Sequence, residues 1–338
     1  MLGFSYSSMG VKAQDIKLFL LGMCIVFCLE LAINVTNKSL MKCPVSPQLF
    51  GNDSNYFGTV DLSYAKRLAS TIHVYCYILT EPSQLQSQRH VQNTWVRRCT
   101  YSAFISPGND SVLKILDAGH DAKTYKRNSW NSMRRTLRAI YATRQNTMYF
   151  VKANYNDYII LENLRYMLEV EDPDEPFLMG RIHEPGPHGD RISGSAGYVL
   201  SKKAMELIVK DGLDKKPECE EKDLDEDVQI GLCAAAVGVD VRDNFDFLGK
   251  SRFSNVPIEE MLGPYPNNTP RWLPEETDYT LPKYNLSKLP ASPLLVSFTG
   301  IDETMMYVLE YLLYHLRPHG ITHRWMAQKP KVKPVVPN

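Results

Sequence analysis

The chain has 338 residues, 44% of them hydrophobic, and its 38 basic and 38 acidic side chains give a formal net charge of zero. This length and composition are typical of a globular protein with one large core or two smaller ones, which excludes a disordered or repetitive chain. Because the charges balance, no basic field favours nucleic acid, and we expect no nucleic-acid partner.

An apolar segment at residues 18–35 comes first along the chain, directly after Lys17. Its uninterrupted apolar run is shorter than the ~20 residues of a typical membrane span. We expect a transmembrane signal anchor, with residues 1–17 as a cytoplasmic tail and the remaining chain in the lumen. A cleaved signal peptide and a buried core helix are the two alternatives.

Glycosylation sequons fit a lumenal placement of the chain. Six N-x-S/T patterns occur, and two of them, at Asn34 and Asn37, lie too close to the predicted anchor. We therefore expect acceptor sites at the other four. These are Asn52, Asn109, Asn267 and Asn285.

Five cysteines lie beyond the anchor, in a compartment where disulfides form. One arrangement pairs Cys76 with Cys99 and Cys219 with Cys233. In the alternative, Cys76 is a small buried apolar residue of its strand. The two pairings leave Cys43 as an odd thiol near the membrane, available for a bridge between two chains.

The chain divides into a stem, a folded domain and a tail. Residues 36–70 are polar and carry little periodicity, so we predict a stem with one short helix near residues 63–69. The folded domain is predicted at residues 71–325. Residues 326–338 are basic and contain prolines, and we predict a disordered tail there.

Strand and helix patterns alternate through the folded domain. Strands are predicted at residues 72–79, 102–105, 113–116, 177–180 and 294–298, and a glycine-rich turn leads into another at 194–201. Helices are predicted at residues 88–98, 130–144, 202–210, 225–237 and 302–316, and a long surface loop at 255–293. This alternation predicts an α/β fold with a mostly parallel sheet and helices on both faces.

Residues 148–164 predict a buried strand, a polar turn and a helix. The apolar run ends in a turn that contains Asn154 and Asp157, and an apolar pattern at helical spacing begins at Ile160. Ligands of α/β proteins bind at such strand ends. We therefore expect a binding site at this turn, and Thr80, which follows the first strand, is a further substrate-binding candidate.

Four separated stretches carry motifs. They are residues 90–99 (HVQNTWVRRC), 192–201 (ISGSAGYVLS), 226–228 (EDV) and 305–318 (MMYVLEYLLYHLRP). In this order they resemble the core 1 β-1,3-galactosyltransferase family, glycosyltransferase family 31. The resemblance covers about residues 71–325 and implies a GT-A fold, a type II protein of the Golgi or ER membrane, and a connection to mucin-type O-glycans.

The resemblance also implies a reaction, the transfer of galactose from UDP-galactose to GalNAc-O-Ser/Thr, in which Mn²⁺ bridges the diphosphate. Three aspartates of the family align with Asn154, Tyr155 and Asn156, and its metal-binding histidine aligns with Thr299. Asp157 lies one position after these three residues and is the remaining metal-ligand candidate in the turn. Asn154 and Asn156 are donor-binding candidates, and Mn²⁺ is the expected cofactor if the chain is active.

The acidic pair, the glycine-rich turn and one tryptophan complete the implied site. Asp227 is the candidate general base for the acceptor hydroxyl, with Glu226 beside it. Gly194 and Gly197 are implied in substrate binding, and Trp272 is the candidate for stacking on a sugar. An acidic pair at a helix start also favours the helix dipole without any catalytic role.

Two hypotheses account for these features. In the first, the chain is a core 1-type enzyme that uses UDP-galactose and a GalNAc-glycoprotein. In the second, it is an inactive paralogue that acts as a chaperone or partner subunit of an active core 1 galactosyltransferase. A homodimer, or a heterodimer with that paralogue, is the expected assembly.

Overall fold

The computed structural model describes residues 61–108, 110, 112–144, 146–186, 189–220, 224–242, 244–263 and 291–316. The predicted anchor, all four predicted glycosylation sites, Cys43, Trp272 and the predicted tail lie outside the described residues. Within the described part of the chain, no helix has the length and apolarity that a bilayer span requires.

Eleven strands are found among the described residues. They are β1 (Val74–Leu79), β2 (Tyr101–Ile105), β3 (Tyr149–Asn154), β4 (Tyr158–Ile159), β5 (Phe177–Gly180), β6 (Ile182–Gly186), β7 (Gly189–Ile192), β8 (Tyr198–Ser201), β9 (Asp240–Arg242), β10 (Phe253–Pro257) and β11 (Ser297–Thr299). The central sheet has the order β2-β1-β3-β8-β5-β9, and β8 alone runs against its neighbours. The predicted α/β fold with a mostly parallel sheet is confirmed. A second sheet has the order β10-β11-β4, and β6 pairs with β7 in a hairpin.

Eight α-helices are found in the same described ranges. They are α1 (Ser63–Thr71), α2 (Leu85–Asn93), α3 (Trp130–Arg144), α4 (Leu161–Leu168), α5 (Lys202–Leu207), α6 (Glu226–Ala236), α7 (Ile258–Leu262) and α8 (Glu303–Tyr314). Ser201 caps α5 as predicted, because its side chain accepts a hydrogen bond from Ala204 N.

Alternation along β1 separates two cores. One set of its side chains packs with α1, α2, α4 and α8, and the other set packs with α3, α5 and α6. The first set is Val74, Cys76 and Ile78, and the second is Tyr75, Tyr77 and Leu79. The prediction of helices on both faces of the sheet is therefore confirmed.

The predicted helix at residues 88–98 is interrupted. α2 ends at Asn93, Thr94 leaves the helical conformation, and a short 3₁₀ helix, Trp95–Arg98, follows. Trp95 is fully buried and its indole Nε1 donates to Asp157 O at 2.8 Å. At this break the chain places the buried indole against the turn that contains Asp157.

Two other elements differ from the predictions. The strand predicted at residues 113–116 is a single bridge between Ile115 and Phe104. The loop predicted at residues 255–293 begins instead with the end of β10 and with α7. Local sequence pattern is weakest in such short elements, because pairing with distant strands decides their structure.

The folded unit starts within the predicted stem, at Leu62. Leu68 of α1 is 2% exposed and belongs to the core. Arg67 Nη2 lies 2.8 Å from Glu169 Oε1, just beyond the end of α4. Because α1 packs on α4, it is part of the folded domain.

Both predicted disulfides are present. Cys76 of β1 is bonded to Cys99, and Cys219 is bonded to Cys233 of α6. Cys76 is fully buried, but the disulfide shows that the alternative, a merely apolar core residue, is wrong. The second disulfide ties the segment before α6 to the helix itself, and α6 carries the acidic pair at its start.

Candidate functional site

The carboxyl ends of β2, β1 and β3 meet at one edge of the central sheet. Leu79 pairs with Asn154 in parallel register, and Tyr155 N donates to Leu79 O at 3.1 Å. Thr80 is fully buried at the end of β1, and its N donates to Ile105 O at 3.1 Å. This edge is where open α/β sheets bind ligands.

Asp157 is fully buried in the turn that follows β3. Its Oδ2 accepts hydrogen bonds from Asn154 N at 2.7 Å and Asn154 Nδ2 at 3.1 Å. Its Oδ1 accepts a hydrogen bond from Thr299 Oγ1 at 2.8 Å. Both oxygens therefore bind within the protein, and the carboxylate joins the turn to β11.

Burial raises the pKa of Asp157 to about 6, although the charge of Lys152 and hydrogen bonds from Asn154 and Thr299 lower it. In the unfolded chain an aspartate ionises near pH 4 (~3.9). The folded protein thus holds the proton more tightly. The stabilisation from the protonated group is present below about pH 4 and is lost as the pH rises through about 6.

We expect Asp157→Asn to change this pH dependence. The stability of the wild type relative to the variant should fall by about 2 kcal/mol between pH 4 and pH 7, because asparagine does not ionise. Urea unfolding at a series of pH values measures this difference. Asp174→Asn, at an exposed carboxylate, is the control, and a pH-independent difference at Asp157 would contradict the prediction.

A buried ion pair connects β3 to the start of α6. Lys152 Nζ lies 2.7 Å from Glu226 Oε1, and the two side chains are 1% and 3% exposed. Tyr198 donates its hydroxyl proton to Glu226 Oε2 at 2.8 Å. Burial, together with the Glu226 charge, raises the pKa of Tyr198 well above its usual value, so this hydroxyl stays protonated.

These contacts of Glu226 are structural, and the catalytic role that the resemblance implies for it stays a prediction. Both of its oxygens are bonded, and the residue is 2% exposed. A substrate hydroxyl cannot reach a carboxylate that is closed off in this way. The ion pair instead fixes the start of α6 against β3.

Asp227, the next residue, is half-buried. Its Oδ2 accepts a hydrogen bond from Gly194 N at 3.0 Å, and its Oδ1 accepts one from Val228 N at 2.8 Å. Within the acidic pair, Asp227 is thus the carboxylate that a bound substrate can approach.

The two glycines of the glycine-rich turn permit close packing. A Cβ on Gly194 would lie 2.7 Å from the Cβ of Asp227, and a Cβ on Gly197, at φ +74°, would lie 2.7 Å from Lys152 O. Gly194 O also accepts a hydrogen bond from Lys152 Nζ at 2.6 Å. The turn is held against β3 and α6, which requires glycine at both positions.

The substrate-binding candidates within the described residues are brought to one region. Thr80, Asn154 and Asn156 lie at the carboxyl ends of β1 and β3, and Asn154 Nδ2 lies 3.3 Å from Gly194 O of the glycine-rich turn. Their contact with substrate stays a prediction. Trp272 lies outside the described residues.

These residues do not fit Mn²⁺. A hard divalent cation takes charged oxygen ligands, but Asp157 is buried with both oxygens bonded, and Thr299 is bonded to Asp157. Asn154 Oδ1 is buried without a hydrogen-bond partner among the described residues, yet it is a neutral amide oxygen. No group of three or more His, Cys, Asp or Glu side chains in these ranges could hold a metal ion. The geometry corrects Asp157 from metal candidate to the residue that closes the turn.

Sequence reasoning missed the contributions of Lys152 and Tyr198. A signal for Lys152 exists, because a lysine in the middle of an apolar strand must find a buried acidic partner. Nothing in the local pattern identifies Glu226 as that partner, since 74 positions separate the two residues (226 minus 152).

No protein-family model matches this chain. A curated protein of Xenopus laevis, glycoprotein-N-acetylgalactosamine 3-beta-galactosyltransferase 1, is 31% identical over 272 residues. The match covers 78% of this chain and 72% of the relative. The chain belongs to this galactosyltransferase family. The resemblance found in the motifs is thereby confirmed.

Two solved structures of glycosyltransferases are similar to parts of the present chain. One enzyme, involved in glycosylation of the major capsid of PBCV-1, has a TM-score of 0.33 at 12% identity, covering 52% of this chain and 83% of that one. A Drosophila beta-1,4-galactosyltransferase 7 mutant, in complex with manganese, UDP-Gal and xylobiose, has a TM-score of 0.32 at 11% identity, covering 56% and 72%. Scores of this size do not establish a common fold, so membership of the galactosyltransferase family rests on the sequence match.

Proposed function

We propose that this member of the family has a GT-A fold and transfers galactose from UDP-galactose to the 3-hydroxyl of GalNAc on serine or threonine, without a divalent cation. The observation that carries the proposal is the contrast within the acidic pair. Asp227 is half-buried beside the glycine-rich turn, whereas Glu226 is closed off by Lys152 and Tyr198. The name of the Xenopus laevis relative gives the same class of reaction.

In the proposed step, the Asp227 carboxylate takes the proton of the GalNAc 3-hydroxyl. The hydroxyl oxygen attacks the anomeric carbon of galactose, the bond from that carbon to UDP breaks, and UDP leaves with the electron pair. The configuration at this carbon inverts. Lys152 contributes by holding Glu226, and with it the start of α6, so that Asp227 keeps its position beside Gly194.

The proposed compartment is the lumen of the Golgi or ER, with the chain anchored as a type II protein. The two disulfides support an oxidising compartment. The apolar segment at residues 18–35 supplies the proposed anchor.

The second candidate is an inactive paralogue that acts as a chaperone or partner subunit of an active core 1 galactosyltransferase. The environment of Asp157 favours this candidate. This carboxylate is the one nearest to the family's metal position, but it is buried and both of its oxygens accept hydrogen bonds within the protein. The glycine-rich turn and the acidic helix start are consistent with either candidate, since both have packing roles.

A transfer assay separates the two candidates. The purified full chain in detergent is incubated with UDP-galactose and a GalNAcα-peptide, once with Mn²⁺ and once with EDTA. We expect galactosyl-peptide at similar rates in both, and loss of activity in EDTA for a Mn²⁺-dependent member of the family used as control. No transfer under either condition, together with co-purification of an active family member, would establish the second candidate and contradict the first.

A further inference from the structure

Residues 126–130 pass beside the start of α6, at the same edge of the sheet. Glu226 N donates to Asn128 O at 2.7 Å, and Trp130 N donates to Leu224 O at 3.0 Å. Ser129 pairs with Asp225 in an antiparallel bridge. These backbone contacts fix the position of Arg127, the residue that precedes Asn128.

The guanidinium of Arg127 lies between the end of β1 and the turn after β3. Its Nε is 3.9 Å from Glu81 Oε1, and its central carbon lies 5.0 Å from the centre of the Tyr155 ring. A separation of 3.9 Å is too long for a hydrogen bond. The Glu81 side chain is 46% exposed, whereas that of Arg127 is 20% exposed.

Two donors of this guanidinium lack a hydrogen-bond partner among the described residues. Nε and Nη1 of Arg127 are buried, and neither makes a hydrogen bond within the described residues. A charged donor that is removed from water without a partner is costly, so such a group is expected to meet an acceptor in the functional state. Guanidinium donors suit phosphate oxygens, which they bind in pairs.

Two further polar atoms at the same edge lack hydrogen-bond partners among the residues that the structure describes. Thr80 Oγ1 and Asn154 Oδ1 are buried, and neither has a hydrogen-bond partner in the described ranges. Thr80 directly follows Leu79, which pairs with Asn154. The ends of β1 and β3 therefore present a hydroxyl, an amide oxygen and guanidinium donors that find no hydrogen-bond partner in the described part of the chain.

We infer that Arg127 binds the diphosphate of a nucleoside diphosphate and supplies the positive charge that a divalent cation supplies elsewhere in the family. This inference rests on the proposed function for the identity of the donor, UDP-galactose. The residues at the turn do not fit a cation, whereas Arg127 lies beside that turn with unused donors. The hydroxyl of Thr80 can donate to the same phosphate oxygens, whereas the amide oxygen of Asn154 only accepts and suits a hydroxyl of the bound sugar nucleotide.

Titration calorimetry of the full chain with UDP in EDTA tests the inference. We expect binding to the wild type, and an affinity lower by roughly 10- to 100-fold for Arg127→Gln, which keeps much of the side chain but removes the charge. Arg127→Lys keeps a charge without the planar fork and should lose less. Arg135→Gln, at an exposed arginine that donates to Gly119 O, is the matched control and should bind like the wild type.

Two outcomes overturn the inference. One is the absence of UDP binding in EDTA, and the other is an unchanged affinity in an Arg127→Gln variant whose thermal unfolding matches that of the wild type. UDP binding that depends on Arg127 in a protein without transfer activity would support the inference while contradicting the proposed function. Transfer in EDTA by a fully active Arg127→Gln variant would contradict the inference while supporting the proposed function.

Discussion

Replacing Lys152 with methionine is expected to destabilise the folded protein by about 3–5 kcal/mol, the usual effect of removing one partner from a buried ion pair. The substitution leaves the Glu226 carboxylate at 2% exposure with Tyr198 as its remaining side-chain partner. It also removes the donor that Lys152 Nζ provides to Gly194 O. Urea unfolding at pH 7, followed by circular dichroism, measures the change in the free energy of unfolding.

The matched control is Lys202→Met. Lys202 pairs with Asp174 at 3.0 Å, but the two side chains are 43% and 70% exposed. Such a surface pair contributes about 1 kcal/mol or less. In addition, the double variant Lys152→Met with Glu226→Gln should recover part of the loss, because it removes the uncompensated charge. Equal, small losses for Lys152→Met and Lys202→Met would show that the buried pair does not hold β3 to α6.

Asp227→Asn is expected to lower kcat for galactose transfer by about 10²- to 10⁴-fold, the usual contribution of a general base. Asparagine keeps one acceptor oxygen, so it can hold the hydrogen bond from Gly194 N or the one from Val228 N but not both. The main loss should therefore appear in kcat, with KM nearly unchanged and the free energy of unfolding lower by about 1 kcal/mol. Initial rates with the GalNAcα-peptide and thermal unfolding of the same samples measure the two effects.

Asp225→Asn provides the comparison for this prediction. Asp225 is exposed at the N-cap of α6, and its side chain makes no capping hydrogen bond. It has the same charge and lies on the same helix start, so a general electrostatic effect would lower the activity of both variants alike. Retention of full activity by Asp227→Asn would exclude Asp227 as the base.

The framework of the fold can be predicted from the sequence where periodicity is strong. β1 and α3 have clear apolar patterns, and both occur close to the predicted bounds. The hairpin of β6 and β7 and the short strand β9 lack such patterns, because their pairing depends on distant partners. The polar sequence of α1 predicts a place in the stem, whereas the structure packs Leu68 in the same core as α4.

For the candidate site, sequence reasoning identifies the elements better than the roles. It places the turn, the glycine-rich stretch and the acidic pair together through a family resemblance. It does not separate Glu226 from Asp227, because only the structure shows that Lys152 and Tyr198 occupy both oxygens of Glu226. It also presents Asp157 as a metal candidate, since neither its burial nor its hydrogen bond from Thr299 can be read from neighbouring residues.

We predict that the turn after β3, which closes on itself through Asp157, does not bind a divalent cation. Mn²⁺ titration of the purified full chain, followed by the electron paramagnetic resonance of free Mn²⁺ with and without UDP, tests this claim most directly. We predict that Asp157→Asn leaves Mn²⁺ binding unchanged under both conditions. One Mn²⁺ bound per wild-type chain, and lost in the Asp157→Asn variant, would contradict it.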